Sequence, residues 1–215
     1  MSDPAGFIRA ETALAAPPLV PEIQLYLASE ILPIWHATEA DLERNGLPPP
    51  YWAFAWPGGQ ALTRHLLDHP DLVAGRRVLD FAAGSGLTAI AAAMAGASAV
   101  SAAEIDPFAR MAIALNAAAN GVAVTLIEED IIGSAGDWEV VLAGDVCYER
   151  PMAERIAAWF TDLARAGRLV LIGDPGRSYL PTSGLKEIAR YQVPTTLELE
   201  YCTMRETVVW RWEGA

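Results

Sequence analysis

Lysine is almost missing from this chain: Lys186 stands alone beside fourteen arginines, a compositional bias. Basic side chains are scarce altogether, with 15 Lys and Arg against 27 Asp and Glu and a formal net charge of −12. Such a balance disfavours nonspecific contact with DNA or RNA, where cationic groups must replace counterions. It favours basic partners, or simply solubility. Only two cysteines occur, Cys147 and Cys202, and their spacing is neither metal-type nor redox-type. They read as reduced core thiols. His65 and His69 have helical spacing, half of a zinc site, but no further Cys/His pair completes one, so no metal is expected. No apolar run reaches the roughly 18 residues of a membrane span. The opening MSDPAGFIRAETALAAPP follows neither the plan of a secretion signal nor that of a transit peptide, so a cytoplasmic protein is expected.

What is present is a chain long enough for one domain with a full core. Its first seventy or so residues are irregular. They suggest a short helix after Asp3, a Pro17–Pro18–Pro21 break, a strand in EIQLYLA, and a charged helix from Thr38 that ends at Asn45-Gly46. An aromatic connector, PPPYWAFAWPGG, then leads into a helix from about Gly59 to His69. From Arg76 the pattern becomes regular. RVLDFAA, AVSAAEI, VAVTLIEED, EVVLAGD and RLVLIGD read as strands. Between them lie helical stripes, one capped by Asp106 with Pro107 at its first position. Strands alternating with helices predict five parallel strands. After a short helix at Ser183 to Tyr191, TTLELEYC and ETVVWRW are close enough to form an antiparallel hairpin. The expectation is an α/β domain spanning 1–215, with helices on both faces of the sheet. Residues 1–71 would be a lid or substrate-facing extension and 72–215 a ligand-binding core.

Ligands of open α/β sheets bind at the carboxyl ends of the strands. Those ends carry Asp80, Glu104, Asp130, Asp145 and Asp174 in turn. FAAGSG follows the first strand, where Gly84 and Gly86 let backbone approach a ligand. Glu104, about twenty residues beyond Gly84, suits a pair of ribose hydroxyls. Gly84-x-Gly86-x-x-Ala89 also satisfies the weak dinucleotide fingerprint, so an NAD(P)-dependent oxidoreductase is a rival. The acid at Asp80 argues against it, because a carboxylate there repels a pyrophosphate. S-adenosylmethionine offers an ammonium, a ribose and an adenine, and Asp80, Glu104 and Asp130 are placed for them in that order. Each acid alone is also an ordinary cap or turn residue, and their recurrence is what carries weight.

VLDFAAGSG, AAEIDPFA and EEDII resemble the ordered motifs of seven-strand S-adenosylmethionine-dependent methyltransferases, over roughly residues 72 to 212. AWPGG and the Asp145-x-x-Tyr148 of DVCY resemble the lysine-directed branch. YWAFAWPGGQAL and IGDPGR are most similar to electron transfer flavoprotein beta-subunit lysine methyltransferases of a bacterial type. The resemblance implies a Rossmann-like seven-stranded sheet and S-adenosylmethionine as methyl donor. It implies that Asp80, Gly84 and Gly86 hold the methionine part, with Ala82 where the motif usually has its first glycine. By the same resemblance Glu104 binds the ribose, Ile105 packs on adenine, Asp130 meets the adenine amino group, and Trp56 covers the donor. A sulfonium beside an aromatic face is a reasonable cation–π contact.

The acid and phenol of Asp145 and Tyr148 suit a lysine acceptor as catalytic residues. They also suit a helix cap beside a surface tyrosine. A neighbouring carboxylate raises an amine's pKa, so Asp145 cannot simply neutralise the incoming lysine. The expected role is to attract and orient its ammonium, with Tyr148 supplying a wall and one hydrogen bond. The expected partner is a protein with exposed lysines, the beta subunit of electron transfer flavoprotein first and a ribosomal protein second. A non-catalytic adaptor on the same scaffold is a further rival, and Asp174 and Arg177 are further substrate-contact candidates.

Overall fold

The structure is a computed structural model that describes residues 3–28 and 49–214. The helix expected from Thr38 to Gly46 lies outside the described residues. Helix α1 (Pro4–Glu11) starts where the Asp3 carboxylate accepts the Gly6 N–H at 2.9 Å. Strands β1 (Ala13–Ala15) and β2 (Leu25–Leu27) pair antiparallel; β2 lies within EIQLYLA, and β1 has no counterpart in the sequence reading. Helix α2 (Pro57–Asp68) begins two residues before the expected start, at the proline of AWPGG. Proline at a helix's first position loses no hydrogen bond, since that N–H has no intrahelical partner.

Seven strands then build one sheet in the order β5-β4-β3-β6-β7-β9-β8. Strands β3 (Arg77–Phe81), β4 (Ala99–Ala103), β5 (Thr125–Ile127), β6 (Val140–Gly144) and β7 (Leu169–Asp174) are parallel. They alternate with α3 (Leu87–Met94), α4 (Pro107–Ala119) and α5 (Arg150–Arg165). The chain runs outward from β3 through β4 to β5, then returns to place β6 on the other side of β3. That reversal opens a crevice at the tips of β3 and β6, where such sheets bind ligands.

Alternate strand residues face opposite sides, and each side has its own core. Val78, Val140, Leu142 and Leu171 pack with Leu62 and Leu66 of α2 and Ile90 of α3. Leu79, Val141, Val170 and Ile172 pack with Ile156, Phe160 and Leu163 of α5. Trp212 closes the second core and Trp210 packs against it. Cys147 is a buried thiol, while Cys202 is only half-buried.

The C-terminal hairpin is antiparallel as expected, but its first strand is elsewhere. Residues 185–194, expected to be largely a helix, form β8 (Leu185–Pro194), which pairs with β9 (Met204–Trp212). TTLELEYC is not a strand; it holds the single turn α6 (Leu197–Glu200), whose N-terminus is capped by Thr196. Leu185, Lys186, Glu187, Ala189 and Arg190 are good helix formers, which accounts for the helical reading. The long β9 edge offers backbone partners along the whole of β8, and tertiary pairing overrides local propensity. A register shift between Glu187 and Ala189 absorbs the irregularity of the pattern. No helix among the described residues is long and apolar enough to cross a membrane.

Candidate active site

Three carboxyl groups stand at the tips of β3 and β4, on one side of that crevice. Asp80 is buried, and its Oδ2 accepts the Ala89 N–H at 2.9 Å, in the first turn of α3. Burial pushes its pKa well above the usual carboxylate value, and the neighbouring Glu104 pushes in the same direction. Glu104 lies just past β4. Its Oε2 accepts the Gly84 N–H at 2.9 Å and its Oε1 the Asp106 N–H at 3.0 Å. These bonds fix the plane of the carboxylate and leave lone pairs for two hydroxyl donors. Asp106 caps α4 through the Phe108 N–H at 2.8 Å, and burial lifts its pKa to about 6. Ile105 is 68% exposed beside them, an aliphatic face at the rim.

The Gly84 backbone is left-handed, at φ 53°, and a Cβ there would meet nothing within 4 Å. Open space beside an acid-lined loop fits a nucleoside that carries positive charge. It does not fit a diphosphate, because the Gly84 N–H is already given to Glu104. Ala82 has φ 52°, a left-handed backbone that the usual glycine would adopt without strain. A left-handed alanine costs about 1 kcal/mol in its backbone.

Asp130 lies three residues beyond the end of β5, and its side chain is about half exposed at 48%. Its Oδ2 receives Arg155 at 2.6 Å and its Oδ1 the Ile132 N–H at 3.1 Å. Arg155 holds its pKa below the usual value. An adenine amino group would have to share this carboxylate with a surface ion pair, which in general contributes little.

Asp145 follows the last residue of β6 in the left-handed region at φ 57° and is buried. Its N–H donates to Gly173 O at 2.9 Å, which fixes it against the tip of β7. Its Oδ2 accepts the Gly59 N–H at 3.1 Å, in the first turn of α2, a helix whose N-cap Trp56 offers no side-chain bond. Asp145 is therefore a helix cap, but of a helix 86 residues earlier in the chain. Three glycines permit this approach. A Cβ on Gly58 would lie 2.2 Å from Gly173 O, one on Gly173 2.0 Å from Gly58 O, and one on Gly144 2.8 Å from Gly59 N. This contact accounts for the first glycine of AWPGG and for the glycine before each of Asp145 and Asp174.

The other Asp145 oxygen, Oδ1, receives Arg177 Nη2 at 2.6 Å and Nε at 3.1 Å. Burial raises the Asp145 pKa, the Arg177 charge opposes that, Asp174 adds to it, and the result is about 6. The Arg177 guanidinium lies 5.6 Å from the centre of the Trp56 ring. Trp56 is 5.8 Å from Tyr51, and Tyr51 is 5.6 Å from Tyr148. Asp145 and Tyr148 are thus linked through the N-terminal connector as well as along their own loop. Tyr148 is 45% exposed, and partial burial pushes its pKa up to about 12, with Tyr51 and Glu149 adding to the effect. It is a neutral phenol at physiological pH.

This chain is 39% identical over 201 residues to the electron transfer flavoprotein beta subunit lysine methyltransferase of Danio rerio, covering 90% of this chain and 77% of that one. It is 38% identical over 217 residues to the protein of the same description from Xenopus laevis, covering 98% and 87%. The chain belongs to this lysine methyltransferase family. Residues 61–147 also match the family model described as ribosomal protein L11 methyltransferase. The solved ribosomal protein L11 methylase of Lactobacillus delbrueckii subsp. bulgaricus shares the fold, with TM-score 0.53 and 20% identity over 80% of this chain and 83% of that one. The seven-stranded sheet of this chain is thus of the methyltransferase type.

Several residues of the site are absent from the sequence reading. Arg110 donates to Ile105 O at 2.8 Å and Glu104 O at 3.3 Å, bracing the tip of β4 from the first turn of α4. Glu200 is buried and receives Arg177 from a segment taken for a strand. No local pattern marks either role, because both depend on which segments the fold brings together. Tyr51 sits in the quoted connector, and its aromatic neighbours were the one signal available.

Proposed function

We propose that this chain transfers methyl groups from S-adenosylmethionine to lysine amines of the beta subunit of electron transfer flavoprotein. The observation that carries the reading is Asp145. It is a buried carboxylate whose partner Arg177 lies against the Trp56 ring, on the same sheet rim as the Gly84 loop and Glu104. Family membership supplies the reaction class, and the names of the relatives supply the acceptor. S-adenosylmethionine, when bound, supplies a methyl carbon on a sulfonium that is open to displacement by an amine. Gly84 and Gly86 would leave room for its methionine part, and the buried Asp80 would shape the floor beneath. Glu104 would accept from the ribose hydroxyls, Ile105 would cover the adenine and Asp130 would face its amino group.

Lysine must lose its proton to act as a nucleophile, and at pH 7 that costs about 4.6 kcal/mol for an unperturbed amine. In this reading Asp145 draws in the ammonium and sets its direction. The apolar faces of Trp56, Tyr51 and Tyr148 then strip water from the amine and favour its neutral form. Tyr148, held neutral, offers one hydrogen bond beside it. Most of the rate gain then comes from alignment. The N-terminal segment would serve as the substrate-facing part, since Tyr51 and Trp56 lie on this rim.

The test is incubation of the protein with radiolabelled donor and purified electron transfer flavoprotein, followed by mapping of the label. Label on lysines of the beta subunit is the expected result, and an unlabelled flavoprotein would overturn the acceptor assignment. The L11 methyltransferase match over residues 61–147 favours a ribosomal protein as second reading, and a ribosome preparation as parallel substrate separates the two.

A further inference from the structure

The acceptor carboxylate already has a cation on it. Arg177 reaches Asp145 through one oxygen only, Oδ1, with Nη2 and Nε. It holds Glu200 differently, with two donors on two oxygens: Nη2 to Oε1 at 2.5 Å and Nη1 to Oε2 at 3.2 Å. That two-point arrangement is the stronger geometry for a guanidinium and a carboxylate. The Glu200 side chain is 5% exposed and that of Arg177 18%. The backbone of Arg177 is fixed as well, since Asp174 Oδ1 accepts its N–H and that of Gly176, both at 2.7 Å. Asp174 Oδ2 is buried without a partner. Asp145 and Glu200 thus hold one half-buried guanidinium, with Asp174 on the backbone of the same arginine and Arg205 at the rim 3.7 Å from Glu200. With every group ionised, the cluster keeps one negative charge more than its arginines neutralise.

We infer that Arg177 is a positioning residue which holds the acceptor site in place of the substrate, and that Glu200 is the anchor it stays on when a lysine ammonium takes its bonds to Asp145. The inference rests on the reading of Asp145 as the acceptor carboxylate. The exchange is a swap of one cation for another on Asp145 Oδ1. No covalent bond changes. Arg177 gives up Nε–H and one Nη2–H contact but keeps its two-point pair with Glu200. The spare negative charge receives the incoming ammonium. Without Arg177, an empty site would leave Asp145 buried beside Asp174 with no counter-ion, a costly state. With Arg177 but no Glu200, the guanidinium would have no other anion of equal geometry and would compete fully for Asp145.

The first measurement uses the unaltered protein loaded with S-adenosylhomocysteine. The Arg177 Nε–H makes its bond to Asp145, so its nitrogen-15 NMR signal, assigned by its loss in Arg177→Lys, reports the exchange. Titration with n-butylammonium, the lysine side-chain cation without its backbone, should shift that signal and speed its proton exchange. A signal that stays fixed overturns the inference. This arm needs no protein acceptor, so failure to methylate the flavoprotein and failure of the exchange remain separate results. The second measurement is kinetic. Glu200→Gln should raise the acceptor KM about tenfold, with kcat and S-adenosylhomocysteine affinity little changed. Adding Arg177→Gln to Glu200→Gln removes the competitor and should bring KM back towards the unaltered value. A bracing role predicts the opposite, a KM at least as high in the double variant, and that result would reject the exchange. Melting curves of each variant show whether it is folded.

Discussion

Asp145 is placed for two tasks at once, and its variants should separate them. Asp145→Ala removes the carboxylate proposed to receive the acceptor lysine and should lower kcat/KM by roughly 10²–10³, with S-adenosylhomocysteine binding intact. Turnover at the normal rate would exclude Asp145 from the chemistry. The pH profile tests the same residue. Burial lifts the Asp145 pKa to about 6, so the carboxyl is neutral below that pH and ionised above it. Reaction also requires the lysine to lose a proton, with a pKa of about 10.4 when free. Two groups must therefore be deprotonated below about 6, and one between there and the lysine pKa. The slope of log kcat/KM against pH should steepen from about 1 to about 2 on descending through 6. Asp145→Asn should keep a slope near 1 throughout. Ala82 offers a stability test independent of catalysis. Ala82→Gly relieves a left-handed alanine and should stabilise the fold by about 1 kcal/mol, read as a rise in Tm of about 2–4 °C.

Among the elements, α2 matters most, because its N-terminal turn lies directly on the tips of β6 and β7. Gly58→Ala would put a methyl group 2.2 Å from the backbone oxygen of Gly173 and 2.5 Å from the Asp145 carboxylate oxygen Oδ2, which is itself held by Gly59 and Arg177. The expected cost is about 3 kcal/mol of stability. A urea melt measures it, and an unchanged midpoint would mean that the contact is looser than described. The five parallel strands were legible because apolar runs between turn signals mark them, and each carries its acid or glycine at the tip. The end of the sheet was not. LKEIARYQV has helix-forming composition, and it is a strand only because β9 lies alongside it, a fact no local window contains. The site divides in the same way. Asp80, Glu104 and Asp145 could be picked out because strand ends are recognisable. Arg177 could be named, but not its bond to Asp145, and Glu200 was hidden in a segment assigned to the wrong structure. The aromatic path from Trp56 through Tyr51 to Tyr148 likewise joins residues far apart in sequence, which only the folded chain brings together.

At the scale of the whole molecule, the excess of 27 acidic over 15 basic residues gives the protein a field that reaches beyond any one contact. Exposed Glu149 follows Tyr148, and exposed Glu198 lies two residues before Glu200, so both add charge near the proposed acceptor side. A lysine-bearing partner is drawn towards such a surface, and salt screens that attraction over about 10 Å at 0.1 M. The acceptor encounter should therefore be salt-sensitive while the chemical step is not. Raising salt from about 50 to about 300 mM should lower kcat/KM for the protein acceptor roughly tenfold through KM, with kcat held. A small amine acceptor such as n-butylamine meets only the local carboxylates, which are buried and less screened, so its kcat/KM should fall much less. Equal loss for both acceptors would place the whole electrostatic effect inside the pocket and leave the acidic surface with no part in recognising the partner.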